Sequence, residues 1–138
     1  MNTQILKGTL FGGIAYFLLG WLVYGVLLAD FTMSNFNQCA NRPSAEMVWW
    51  AIIISSFIYA LFLTLMLKWS GASTLVGGLK TGALFGVLLS AMNNLSMYSM
   101  TTMFNNFWAL IADIVVATLL ATVIGGVILL LWGKEKTT

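Results

Sequence analysis

The chain has no histidine, one cysteine, four acidic residues and six basic ones among 138 residues. Each shortage excludes a class of function. Without histidine there is no imidazole to ligate haem, to build a metal site or to act as a general base. A lone Cys39 leaves no CxxC redox pair, no iron–sulfur cluster and no internal disulfide. Six Lys and Arg residues cannot form the basic stripe that nucleic acid requires. Charged residues make up 7% of the chain, against about 25% in ordinary soluble proteins. Sixty per cent of the residues are hydrophobic and the mean hydropathy is +0.95. Such a composition cannot furnish a water-facing surface, so the sequence reads as an integral membrane protein whose surroundings are the lipid bilayer.

The few charges punctuate the apolar runs. Gly8 to Ala29 and Met47 to Leu67 are free of charge, and the long run after Lys80 is broken by the polar stretch Ser99–Asn106. A helix needs about 20 residues to cross a hydrocarbon core of about 30 Å. Four spans are therefore expected, near 8–30, 47–68, 78–100 and 107–132. The backbone must satisfy its own hydrogen bonds in lipid, and no alternating pattern suggests a barrel. The expected fold class is all-α, a membrane-embedded four-helix bundle forming one domain over 1–138. The first apolar run is longer than a signal-peptide core and no A-x-A-like site follows it, so it is expected to be retained. Lys7, Lys68, Lys80, Lys134 and Lys136 fall on one side of this arrangement, and Arg42 alone falls on the other. The positive-inside rule then places both termini and the 69–77 loop in the cytoplasm, as for a multi-pass protein of the plasma (bacterial inner) membrane. Trp49, Trp50, Trp69, Trp108 and Trp132 fall at span ends, the position of an aromatic belt.

Two patterns organise the helices. Leu10-Phe11-Gly12 recurs as Leu84-Phe85-Gly86, a spacing of 74, and Trp50-Ala51 recurs as Trp108-Ala109, a spacing of 58. Two duplicated helical hairpins would produce this, as would chance similarity between apolar helices. The third span carries Gly78, Gly82, Gly86, Ser90 and Asn94, four apart throughout, and the fourth carries Asp113, Ala117, Ala121 and Gly125 at the same interval. Residues four apart stack on one helix face, and small residues there let two backbones approach closely. The first span offers a shorter version in Gly8 and Gly12, then Gly20 and Gly25. The third and fourth spans are expected to pack on each other through these ridges, with a homo-oligomer seam as the alternative.

Asp113 is the one acid inside an expected span. At mid-bilayer an aspartate costs roughly 2.5–3.5 kcal/mol. Asp113 lies about 9 Å below the outer end of its helix, at 1.5 Å per residue. Asn94 lies at a similar depth on its neighbour, and the two are expected to hydrogen-bond. Asn93 and Tyr98 are near them on the third span, Tyr24 is at that level on the first, and Ser55, Ser56 and Tyr59 are on the second. Asp113, Asn93, Asn94, Tyr98 and Tyr24 are the candidate lining of an outward-opening ligand or ion pocket. The alternative makes Asp113 a structural tie between helices, favoured near a helix N-terminus by the dipole. Asp30 and Glu46 are expected at the water boundary, and Cys39 as a free thiol in the outer loop.

The run Leu18-Leu19-Gly20-Trp21-Leu22-Val23-Tyr24-Gly25, with Leu28-Ala29-Asp30-Phe31, Lys80-Thr81-Gly82-Ala83, Met97-Tyr98 and Ala112-Asp113-Ile114, resembles a group of small bacterial four-helix membrane proteins known as a domain of unknown function. The resemblance covers nearly the whole chain and implies fold and compartment, with no activity attached. It also implies that an acidic pair has become Asn94 plus Asp113 here, which weakens a proton or metal role for the pair. Enzyme classes fare poorly. Four-helix thiol oxidoreductases need paired cysteines, membrane aspartyl proteases need two buried aspartates, and glutathione-using four-helix enzymes need basic residues in or near their helices. Small drug exporters carry a buried acid in the first helix, and none lies between Gly8 and Ala29. The sequence thus favours a non-enzymatic scaffold or accessory subunit, working through its Gly/Ala ridges within a homo-oligomer or larger membrane complex. A small-solute or ion transporter or binding protein centred on Asp113 is the alternative. No cofactor, metal or nucleic acid is expected.

Overall fold

A computed structural model describes residues 2–133. Its elements are α1 (Thr3–Leu22), α2 (Ala29–Asn35), α3 (Trp49–Trp69), α4 (Leu75–Met100) and α5 (Phe107–Trp132). A wide π turn, Val23–Leu27, leads out of α1, and single 3₁₀ turns at Gln38–Ala40 and Ser44–Glu46 lie between α2 and α3. The helix through Leu27, and α3, α4 and α5, are each long and apolar enough to cross a membrane. The chain is a multi-pass, all-helical membrane protein.

Caps set the helix ends more than charges do. Asn2 Oδ1 accepts from the Gln4 amide at 3.2 Å, so α1 starts at Thr3 and runs straight past Lys7. The expected start near residue 8 took Lys7 as a boundary, but a long lysine side chain can run along the helix towards the interface. Thr74 Oγ1 caps α4 by accepting from Gly77, and Asn106 Oδ1 caps α5 by accepting from Ala109 at 2.8 Å. At its far end the first span does not reach Asp30 as one helix. The backbone turns at Leu28, and α2 carries Asp30 outside the four long helices.

The helices pair as two hairpins. A methyl group added at Gly78 would lie 2.7 Å from the Gly125 carbonyl oxygen, and one at Gly125 would lie 2.5 Å from that of Gly78. One at Gly82 would strike the Ala121 carbonyl oxygen, and one at Gly86 would lie 2.6 Å from Ala121 Cβ. The α4 and α5 ridges therefore meet each other within the chain, backbone against backbone. In the other hairpin Gly8 sits on Thr64, Gly12 on Ala60 and Gly13 on the Phe57 ring. The contacts follow the sequence spacings: Gly8 on Thr64 matches Gly82 on Thr122, and Gly12 on Ala60 matches Gly86 on Thr118.

Ile128 reaches across to Gly8 and Gly12 and joins the hairpins. Around it lies the main core, including Leu63, Leu67, Phe85, Ala121, Ile124 and Leu129. This core occupies the half of the bundle nearest Lys7, Lys68 and Lys80, here termed the basic end. Lys134 and Lys136 lie outside the described residues. Trp132, placed at a span end by its position alone, also donates its indole N–H to the Gln4 carbonyl at 2.8 Å and so ties the end of α5 to the start of α1.

Candidate binding site

Towards the opposite end, the loop end, the bundle opens. Two turns beyond Gly86 on α4 the ridge reaches Asn94, which is 5% exposed. The antiparallel register set by the glycines brings it opposite Asp113 on α5. Asn94 Nδ2 donates to Asp113 Oδ2 at 2.5 Å, as the shared depth led us to expect. Tyr24 donates its hydroxyl to Asp113 Oδ1 at 2.8 Å. One carboxylate thus joins three of the long helical segments.

The π turn positions Tyr24. The Leu28 amide donates to the Val23 carbonyl at 2.8 Å, five residues back, so one extra residue is fitted into the turn. Turns of this kind are rare and frequently mark functional sites. Here the turn ends the straight part of α1 where its last tyrosine meets Asp113.

Asp113, Asn93, Asn94 and Tyr24 line a cavity of about 490 Å³. Ser90 and Ala117, the last members of the small-residue ridges, border it too, so the seam between α4 and α5 opens into the cavity. Tyr98 is not brought in. It is 44% exposed and sets its ring against the edge of Phe107, 6.1 Å away between centroids. Met97, Met103 and Phe104, which belong to one small apolar cluster, line the cavity instead. Ser55 and Ser56 bond back to the Ile52 carbonyl and border a second cavity, of about 440 Å³, that shares Tyr16 and Tyr24 with the first.

Two aromatic pairs complete the first cavity. Tyr16 and Tyr59 stack with centroids 4.0 Å apart and planes 17° apart. Phe36 and Phe104 meet edge to face at 5.0 Å. The row Tyr16, Gly20, Tyr24, four apart along the first span, is a readable signal for Tyr16. Phe36 and Phe104 had none, because a contact between two loops brings them together. The Asn37 amide donates to the Met103 carbonyl at 2.7 Å and the Asn105 amide to the Asn35 carbonyl at 2.9 Å, forming an antiparallel bridge between Phe36 and Phe104. Asn37 Nδ2 to Thr102 Oγ1 and Asn106 Nδ2 to Asn35 Oδ1, both 3.1 Å, reinforce this strap.

Asp113 is the one acidic residue lining the cavity, and no described basic residue lines it. No group of three or more Cys, Asp or Glu side chains comes together among the described residues to hold a metal ion. Asp30, Glu46 and Cys39 are exposed. Comparison with protein-family models, with curated proteins and with solved structures finds no match to this chain.

Proposed function

We propose that this chain is a non-enzymatic membrane protein that binds a small solute in the Asp113 cavity, entered from the loop end, as a carrier or the binding subunit of one. The observation that carries this reading is the placement of Asp113. Its carboxylate is held by Tyr24 and Asn94 at the wall of a roomy cavity with no described basic neighbour. A purely structural tie could be made by a neutral amide, without the cost of a charge at this depth. The scaffold reading rested on small-residue ridges made for helix contacts, and those ridges face each other inside the chain. The resemblance to small bacterial four-helix proteins is kept as part of the proposal, with the bacterial inner membrane as the compartment. The positive-inside rule then makes the loop end the outer one, so an impermeant thiol reagent should label Cys39 in intact cells.

The test is a melting scan of the detergent-solubilised protein against a panel of amines, amino acids, sugars and simple salts. A cavity ligand stabilises by RT ln(1 + [L]/Kd), about 2.7 kcal/mol at a hundredfold excess over Kd. The expected result is stabilisation of the wild type by at least one solute class, lost in Asp113→Asn. A wild-type melting temperature indifferent to every solute would overturn the proposal.

A further inference from the structure

Resting on that reading, we infer that the cavity takes a monovalent organic ammonium, with the charged nitrogen beside Asp113 and the apolar body among the aromatic rings. Three features converge on this class. The first is charge. The lining carries one carboxylate and no described cationic side chain, so a ligand with a single positive charge balances it. A carboxylate offers about four lone-pair sites, and Tyr24 and Asn94 occupy two of them. Both of those donors are directed at Asp113, and the other polar groups of the lining, Ser90, Asn93, Tyr16 and Tyr59, are neutral, so the one charge a ligand meets is negative.

The second feature is the wall. The Tyr16–Tyr59 stack and the Phe36–Phe104 pair put four rings around the cavity in addition to Tyr24. Rings attract a cation lying within about 6 Å of their centroids, most strongly where water is excluded. Met92, Met97 and Met103 add flexible thioethers that adapt to the outline of an organic group.

The third feature is what the site lacks. A hard divalent cation takes six or more oxygen ligands and is held mainly by carboxylates and carbonyls, whereas this lining offers a single carboxylate and otherwise neutral amides, hydroxyls, rings and thioethers. A cavity of about 490 Å³ falls in the range of small-molecule sites, about 300–1,000 Å³, and is far larger than a bare alkali ion.

Choline and 3,3-dimethylbutan-1-ol test the inference. They share one shape and differ by a nitrogen for a carbon, hence by one charge. Isothermal titration of the full chain in detergent should give at least tenfold tighter binding for choline. Asp113→Asn should abolish that preference, and Tyr59→Phe should bind choline at least fivefold tighter than Tyr59→Leu, because the ring is kept. Rubidium chloride and calcium chloride should not compete. Equal binding of choline and its carbon isostere, or displacement of choline by either salt, would overturn the ammonium assignment while leaving a solute site in place. Failure of the whole solute panel would instead overturn the reading on which it rests. The ammonium group can come from a free solute or from a lipid headgroup. Choline titrations in nanodiscs of phosphatidylethanolamine and of phosphatidylglycerol separate the two: equal affinities identify a free solute, and weaker apparent affinity in phosphatidylethanolamine identifies the headgroup.

Discussion

The two ends of the bundle are built on different principles. At the basic end, helix backbones touch: Gly78, Gly82 and Gly125 leave no room for a methyl group, and Leu63, Leu67, Ile124 and Ile128 are fully or almost fully buried around them. At the loop end the helices part, and polar side chains and a loop strap hold them together. Contacts made by shape alone have one partner and cannot be exchanged. Hydrogen bonds to Asp113 can be shared with an incoming ligand at modest cost. The basic end therefore acts as a fixed base, and the loop end is where the molecule can respond.

This contrast fixes the order of mutational effects. The largest is expected at Gly82, where a larger side chain meets the Ala121 carbonyl, a backbone atom that no rotamer change moves. Overpacking typically costs 1–3 kcal/mol, occasionally more, and Gly82→Leu should fall at or above the top of that range. Gly20→Leu is the control on the opposite side of the comparison, since a Cβ there meets nothing within 4 Å. Thermal unfolding in detergent should show a large drop for Gly82→Leu and almost none for Gly20→Leu. Equal melting temperatures would mean that the basic end is no tighter than the rest.

Next in size is Asp113. Asp113→Leu leaves the Tyr24 hydroxyl and the Asn94 amide without their acceptor. Water in the cavity can reach Tyr24, which leaves the buried Asn94 amide as the unpaired donor. Leaving a buried donor unpaired costs about 1–3 kcal/mol, so a loss of about 2 kcal/mol is expected. Asp113→Asn keeps an acceptor and should lose less than half as much. Hydrogen exchange should locate the damage of the leucine variant in the π turn and the loop-end half of α4, with the Gly78–Gly86 stretch still protected. Uniform deprotection along α4 would abolish the distinction between the two ends.

The same contrast explains what the sequence disclosed. Four apolar runs, two ridges of residues four apart and one intramembrane acid are periodic or singular features. They were readable as the bundle, the α4–α5 seam and the Asp113–Asn94 bond. The loop end depends on contacts without period. The π turn that aims Tyr24 is a single extra residue, invisible in an unbroken apolar run. The strap between Asn35–Asn37 and Thr102–Asn106 joins segments that read separately as polar loops. Tyr98, four residues from Asn94 and so expected beside it, packs its ring on Phe107 instead, and Met97, Met103 and Phe104 line the cavity. Charges also misled at the span ends, because capping residues rather than lysines start the helices.

A smaller loss is expected from Tyr24→Phe, which removes one of the two bonds to Asp113 and keeps the ring. A hydrogen bond to a charged group contributes about 1.5–3 kcal/mol, but the open cavity lets water replace the lost hydroxyl. A decrease of about 1 kcal/mol is the expected outcome, measured by thermal unfolding. A decrease as large as that of Asp113→Leu would show that water does not reach the carboxylate.

The smallest effect should have the opposite sign. It probes one of two buried hydroxyls at the basic end that are unpaired among the described residues, those of Thr9 and Thr64. Thr64 is fully buried, and its hydroxyl has no hydrogen-bond partner among the described residues. Both branches of its side chain lie against Gly8, where an added methyl group would be 2.7 Å from Oγ1 and 2.7 Å from Cγ2. Valine has the same branched outline with a methyl in place of the hydroxyl, so Thr64→Val should leave the packing on Gly8 intact. It also removes an unpaired polar group from an apolar interior, a burden of about 1–3 kcal/mol on mutational scales. Part of that gain is offset, because an unfolded chain still in the bilayer also buries the hydroxyl. A rise in stability of up to about 1 kcal/mol is expected, with binding at Asp113 unchanged because the substitution lies at the other end of the bundle. A fall in melting temperature would mean that the Thr64 hydroxyl finds a partner, and that the basic end, like the loop end, is held in part by a hydrogen bond.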